Sequence, residues 1–148
     1  MNIKQKIFVG LAIFFVVGSL YGYKQYNRTN KDLARAKPDV QITSTDLIRS
    51  FEADEKSANQ RFLDKILAVT GKVKDIMKDE KGYFTLVLGE GNAMSGVRCS
   101  MDTTYTRDIA SIKTGNEIII KGACIGFNAD ELLGSDVILN RAVVVLKN

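Results

Sequence analysis

Hydrophobic and polar positions change their period several times along the chain. From Ile7 to Tyr23 the residues IFVGLAIFFVVGSLYGY carry no charge, and no polar face interrupts them. At 1.5 Å per residue, a helix of about 17 residues just reaches across a bilayer's hydrocarbon layer. Lys4 and Lys6 precede the run, and Tyr21, Tyr23 and Tyr26 with Lys24 stand where an aromatic and cationic interfacial belt is expected. The pattern predicts an N-terminal transmembrane anchor over residues 1–23. A cleaved signal peptide is the alternative, because the run is short and Val17-Gly18-Ser19 offers small residues at a cleavage position. No cysteine lies near the segment, which excludes an acylated lipoprotein cysteine. Residues 24–41 (KQYNRTNKDLARAKPDVQ) are polar and basic, hold the only proline, Pro38, and read as a tether.

Beyond the tether the period is first helical and then two. Ser44 or Thr45 offers an N-cap, with Asp46 in the first turn. Leu47, Ile48, Phe51, Ala58 and Phe62 then form one apolar stripe, predicting an amphipathic helix over roughly 44–63. From Ile66, Leu67, Val69, Gly71 and Val73 alternate with Ala68, Thr70, Lys72 and Lys74, a strand whose Gly71 reads as a bend or bulge. Asp79 to Gly82 is a turn, and Tyr83 to Leu88 is a second strand with Phe84, Leu86 and Leu88 on one face. Gly89 to Asn92 is a loop, and Val97, Cys99 and Met101 mark a third strand. Residues 104–114 form a short helix or turn closed by Gly115. Glu117 to Ile125 is a fourth strand, with Ile118, Ile120, Gly122 and Cys124 on one face; after an irregular link at 130–134, Val137 to Leu146 is a fifth. Consecutive strands without long crossovers predict a mostly β domain over 42–148, a closed five-stranded barrel preceded by the amphipathic helix.

Charge changes the picture once it is divided by region. The chain has 21 basic and 17 acidic side chains and a net charge of +4. Seven of the basic groups and only two of the acidic ones fall within residues 1–40, so the remainder carries 14 and 15, a net −1. The basic character belongs to the tether. A near-neutral domain lacks the phosphate-neutralising surface that supplies most non-specific nucleic-acid affinity.

Candidate chemistry is sparse. Histidine is absent, which removes the commonest general base near neutral pH and the commonest zinc ligand. Asp54-Glu55 and Asp79-Glu80 are adjacent carboxylates without a calcium-loop pattern. Ser95-Gly96 and Asp102-Thr103-Thr104 lack a basic partner at an interpretable spacing. Gly89-x-Gly91 lacks the third glycine and the helix of a dinucleotide site. No catalyst, cofactor or metal is implied. Cys99 and Cys124 match no zinc spacing. In a small exported domain such a pair reads as one disulfide, the alternative being two small buried hydrophobes.

Two stretches resemble the tRNA-anti-like OB-fold family of small bacterial envelope proteins. The first is FEADEKSANQRFLDKILAVTGKV, Phe51 to Val73, an acidic, alanine-bearing helix before a V-x-G-x-V strand. The second links Val97-Arg98-Cys99-Ser100-Met101 through Ile112-Lys113-Thr114-Gly115 to Ile120-Lys121-Gly122-Ala123-Cys124. Asp54 and Phe62 stand where the family usually has asparagine and tyrosine, and Met101 where it has phenylalanine. The resemblance implies an OB-fold barrel over roughly 44–146 and no established activity. OB barrels usually bind along the outer face of their second and third strands. Alternation places Tyr83, Thr85, Arg98 and Ser100 there, with Lys72 and Lys74 beside them, a candidate groove with one aromatic platform and three cations. The combined expectation is a non-catalytic binding module. It is held at the inner membrane by its N-terminal segment and carries the barrel on the extracytoplasmic side, since long domains translocate largely regardless of charge. An envelope protein or saccharide is the expected partner; a nucleic-acid-binding barrel is the alternative.

Overall fold

The computed structural model describes residues 2–26, 32–91, 93–130, 132 and 134–145, with the side chains of 3, 4, 6–12, 24–26 and 106–108 outside the description. The chain forms two compact units, residues 1–32 and 33–148. The first holds helix α1, Ile3–Tyr26. Its described apolar side chains, including Phe14, Phe15, Val17 and Leu20, are exposed on every side, as expected of a helix with no partner in its own unit. Among the described residues no helix is long and apolar enough to cross a membrane. The charge-free run read from the sequence lies in part, at 7–12, outside the described side chains.

The second unit begins inside the stretch read as tether. Leu33 is buried, and the Lys121 ammonium donates to the carbonyls of Ala34 and Ala36 at 2.6 and 3.0 Å. Asp39 then exchanges two bonds with Ile66, and Val40–Thr43 forms a short strand, β1, parallel to β2 (Ile66–Lys78). Residues 33–39 thus make a strap on the domain.

Thr43, one residue before the expected cap, opens helix α2 (Ser44–Ala53): its Oγ1 accepts from Asp46 N–H and donates to the Asp46 carboxylate. The single expected helix is two, because Asp54 is extended at φ −158° and starts α3 (Glu55–Phe62). Its carboxylate accepts from the Ser57 N–H at 3.1 Å and the Ser57 hydroxyl at 2.5 Å. Those bonds hold the Asp54 carboxyl below its ordinary pKa. An N-cap competes with helix continuation, and here it wins.

The five strands expected from alternation close into a barrel in the order β2, β3 (Phe84–Leu88), β4 (Gly96–Met101), β6 (Asp136–Val145), β5 (Glu117–Asn128) and back to β2. All these contacts are antiparallel except β4 with β6. That parallel pair is reached through a 3-10 helix, Thr103–Ser111, and β5. Leu67, Val69, Leu86, Leu88, Val97, Leu139 and Ile120 fill the interior, and Leu47, Phe51 and Phe62 from α2 and α3 join them. Phe51 stacks on Phe127 at 5.0 Å between ring centroids and tilts against Phe62 at 5.9 Å.

Two expectations about β2 and the cysteines change. Gly71 is paired regularly with Ile118, and the irregularity lies between Val73 and Asp75, at Lys74. Gly71 is needed for clearance instead, since a Cβ there would stand 2.4 Å from the Ser44 Oγ and 2.9 Å from its Cβ. Cys99 and Cys124 are both free and buried, so the expected disulfide is absent. Each is in register with Leu139, one from β4 and the other from β5, so the β6 strand runs between them. Two strand spacings put their Cα atoms about 9 Å apart, beyond the reach of a bridge. Burial raises the pKa of both thiols.

Candidate nucleic-acid or protein interface and an outer groove

The β3–β4 face is laid out in rows by strand register. Met77, Thr85 and Ser100 form one row, and Asp75, Val87, Arg98 and Ile138 the next. Thr85 and Ser100 are therefore direct cross-strand neighbours. Arg98 lies one row away. Its Nε and Nη2 both donate to the Asp136 Oδ2, at 3.1 and 2.7 Å, joining β4 to β6. The pair is part-buried, with Arg98 41% and Asp136 21% exposed at the side chain.

The other three predicted residues do not gather on that patch. Tyr83, half-exposed, precedes β3 in the β2–β3 turn, where its N–H donates to the Asp79 carboxylate at 2.8 Å. Lys72 sits at the opposite end, its carbonyl accepting from Gly89 N–H at 3.0 Å. Six residues of extended chain separate that level from Tyr83, about 20 Å. Lys74, on the bulge, donates its ammonium to the carbonyl of Ala93 in the β3–β4 loop. Two of the three candidate cations are thus engaged with groups of the barrel itself. Arg98 is neutralised by a carboxylate, while Lys74 keeps its charge but is tied to a loop.

The β3–β4 loop is fixed to the loop before β6. Gly96 N–H donates to the Ser135 carbonyl, Ser135 N–H to the Ser95 hydroxyl, and that hydroxyl to the Glu52 carboxylate of α2. Gly134, at φ +89°, packs its Cα against the Met94 backbone so closely that a Cβ would stand 2.5 Å away. Among the described residues no group of three metal-ligating side chains gathers.

A groove that the sequence reading missed lies along β2, β5 and β6, and its larger lobe also takes in Ile118 and Val144 from the core-facing side. Its two lobes, about 380 and 240 Å³, share Thr70, Ile119 and Val145. Pro38 of the strap and Lys121 line the smaller lobe, and Ile112 and Glu117 the larger. The available signal was loss of alternation. Ile118-Ile119-Ile120 and Val143-Val144-Val145 put apolar side chains on both faces of their strands, the mark of a face covered by something other than water.

Strand order, the parallel β4–β6 pair and the long shared β2 define an OB-fold barrel. The chain belongs to the tRNA_anti-like family, whose model matches residues 1–139. A Klebsiella pneumoniae lipoprotein, for which nucleic-acid binding has been proposed, is similar in structure with a TM-score of 0.57. It is 19% identical, and the match covers 80% of this chain and 100% of that one. A protein of Leishmania major Friedlin proposed to be an aspartyl-tRNA synthetase matches at a TM-score of 0.43 and 11% identity, over 80% of this chain and 23% of that one. No curated protein matches the sequence.

Proposed function

We propose that this chain is a non-catalytic binding module. In this reading it is tethered to the inner membrane by the uncleaved apolar helix Ile3–Tyr26 and presents its OB barrel on the extracytoplasmic side to an envelope protein or saccharide. The observation that carries the reading is the state of two of the candidate cations, Arg98 on the β3–β4 face and Lys74 on the β2 bulge. Arg98 is held by Asp136 and Lys74 by the loop carbonyl of Ala93. With a net −1 over residues 41–148, little free positive charge is left for a phosphate backbone. The 17 uncharged residues of Ile7–Tyr23 and their lysine and tyrosine flanks support the tether. Thr85, Ser100 and Tyr83 remain the candidate contacts, Tyr83 supplying one ring where single-strand binders use two or three.

The Klebsiella relative makes the alternative concrete, a barrel that takes single-stranded nucleic acid. Fluorescence anisotropy of labelled single-stranded DNA and RNA against the fragment 33–148 separates the two. The module reading expects no saturable binding at low salt. Micromolar affinity falling steeply with salt, about 0.7 decade of K per decade of salt for each phosphate contact, would establish the nucleic-acid reading instead.

A further inference from the structure

Where the β3–β4 loop meets the loop before β6, the barrel carries two exposed apolar side chains on fixed backbone. Among the described residues of 33–148, Leu132 and Met94 are the most exposed large apolar side chains, at 82% and 65%. Neither loop is slack around them. Leu132 N–H donates to the Asp130 carboxylate at 2.8 Å, and Gly134 N–H to the Asp130 carbonyl at 3.0 Å. Gly134 packs on the Met94 backbone, and Ser135 N–H donates to the Ser95 hydroxyl at 3.2 Å. Apolar side chains held out in water on braced loops mark a surface that a partner covers.

A pocket of about 320 Å³ opens beside Met94, between α2 and its chain neighbours Ala93 and Ser95. Ile48 and Ala93 give it apolar lining, and Arg49, Glu52 and Glu90 give it charge. Ile48, Arg49 and Glu52 stand three and four residues apart, on one side of α2. The Ser95 hydroxyl donates to the Glu52 carboxylate at 2.8 Å and joins the two walls. The Glu90 carboxylate makes no ion pair among the described residues. Charge narrows the occupant. Asp46, Glu52, Glu90 and Asp130 stand against Arg49 and Lys74, a net −2 over the pocket and the two loops. Such a rim repels anionic headgroups and a phosphate backbone, and it attracts a cation. An apolar floor under carboxylates suits a methylene stem with a charged head, the form of a lysine or arginine side chain.

We propose that this end of the barrel docks a segment of a partner protein in which a lysine or arginine stands beside apolar side chains. The basic side chain lays its methylenes on Ile48 and Ala93 and brings its head to Glu52 and Glu90, while its apolar neighbours cover Met94 and Leu132. The inference rests on the reading of the chain as a binding module, and it makes that module's partner a protein.

The test uses the full-length chain in the cells that produce it, with photoreactive benzoylphenylalanine at Met94, at Leu132 or, as a control on β5, at the 51% exposed Ile125. Adducts are sequenced by mass spectrometry. Both loop positions are expected to crosslink to one partner protein, through peptides that hold a lysine or arginine next to apolar residues. Glu90→Lys should lower the yield about tenfold, since an attractive charge becomes a repulsive one. Ala93→Arg, which fills the pocket with a cation of the chain's own, should act alike and serves if the first variant does not fold. Lys56→Glu, exposed on α3, should leave the yield unchanged. A yield no greater than at Ile125, or one indifferent to Glu90→Lys, would overturn the proposal. So would adducts to lipid, nucleic acid or a second copy of the chain, or partner peptides without a basic residue. The two failures differ: oligonucleotide binding by the fragment 33–148 overturns the module reading, while missing crosslinks without such binding overturn this inference alone.

Discussion

Single atoms decide several of the features that place the elements. The Ser44 hydroxyl occupies the space that a side chain at position 71 would need. Gly71→Ala is therefore expected to destabilise the fragment 33–148 by about 1–3 kcal/mol in urea unfolding, and Ser44→Gly in the same chain should restore most of the loss. An unchanged midpoint for Gly71→Ala would remove the clearance explanation. Asp54 ends one helix and starts the next. Its carboxyl is held below the ordinary value by Ser57. A lowered folded-state pKa means that the cap stabilises above the unfolded value, and that this contribution fades as pH falls through the lowered one. The fragment should accordingly melt higher than its Asp54→Ala variant at neutral pH, and the gap should close in strong acid. A gap that persists there would show that the variant acts through something other than the carboxylate.

At the scale of elements, the strap and β1 make residues 33–41 part of the fold. Leu33 is buried, Lys121 holds two strap carbonyls and Asp39 pairs with Ile66. A fragment starting at residue 42 is expected to be less stable than one starting at 33 by several kcal/mol, since it loses the first half of β1, a buried leucine and these charge-assisted bonds. Equal chemical denaturation midpoints for the two fragments would count against the strap. The strap also shows where sequence legibility ended. The barrel strands were readable because Leu67, Val69, Leu86, Leu88, Val97 and Cys99 repeat with period two, and the core holds them all. Residues 33–41 have no periodicity, and they are ordered by a lysine 80 or more positions away, which no local pattern reveals. The break at Asp54 was hidden because an apolar stripe continues across it from Phe51 to Ala58 and Phe62.

For the molecule as a whole, charge and topology together shape the function. Alternation located Thr85, Ser100 and Arg98 on one face, but the carboxylate that engages Arg98 comes from β6, across a parallel pairing that the sequence order conceals. The cysteines were misread for a related reason. Both point inward as expected, and only the full strand order reveals Leu139 between them. The groove along β2, β5 and β6 belongs to the same class, assembled from three strands and a strap that are distant in sequence.

The most direct test of a tethered, extracytoplasmic barrel is protease treatment of spheroplasts that produce the full-length chain, with carbonate-washed membranes run alongside. The chain should stay with the washed membrane, and external protease should reach it in intact spheroplasts and release a resistant fragment that holds the barrel. An unprocessed chain in the aqueous fraction, or one that protease reaches only after the spheroplasts are lysed, would contradict it.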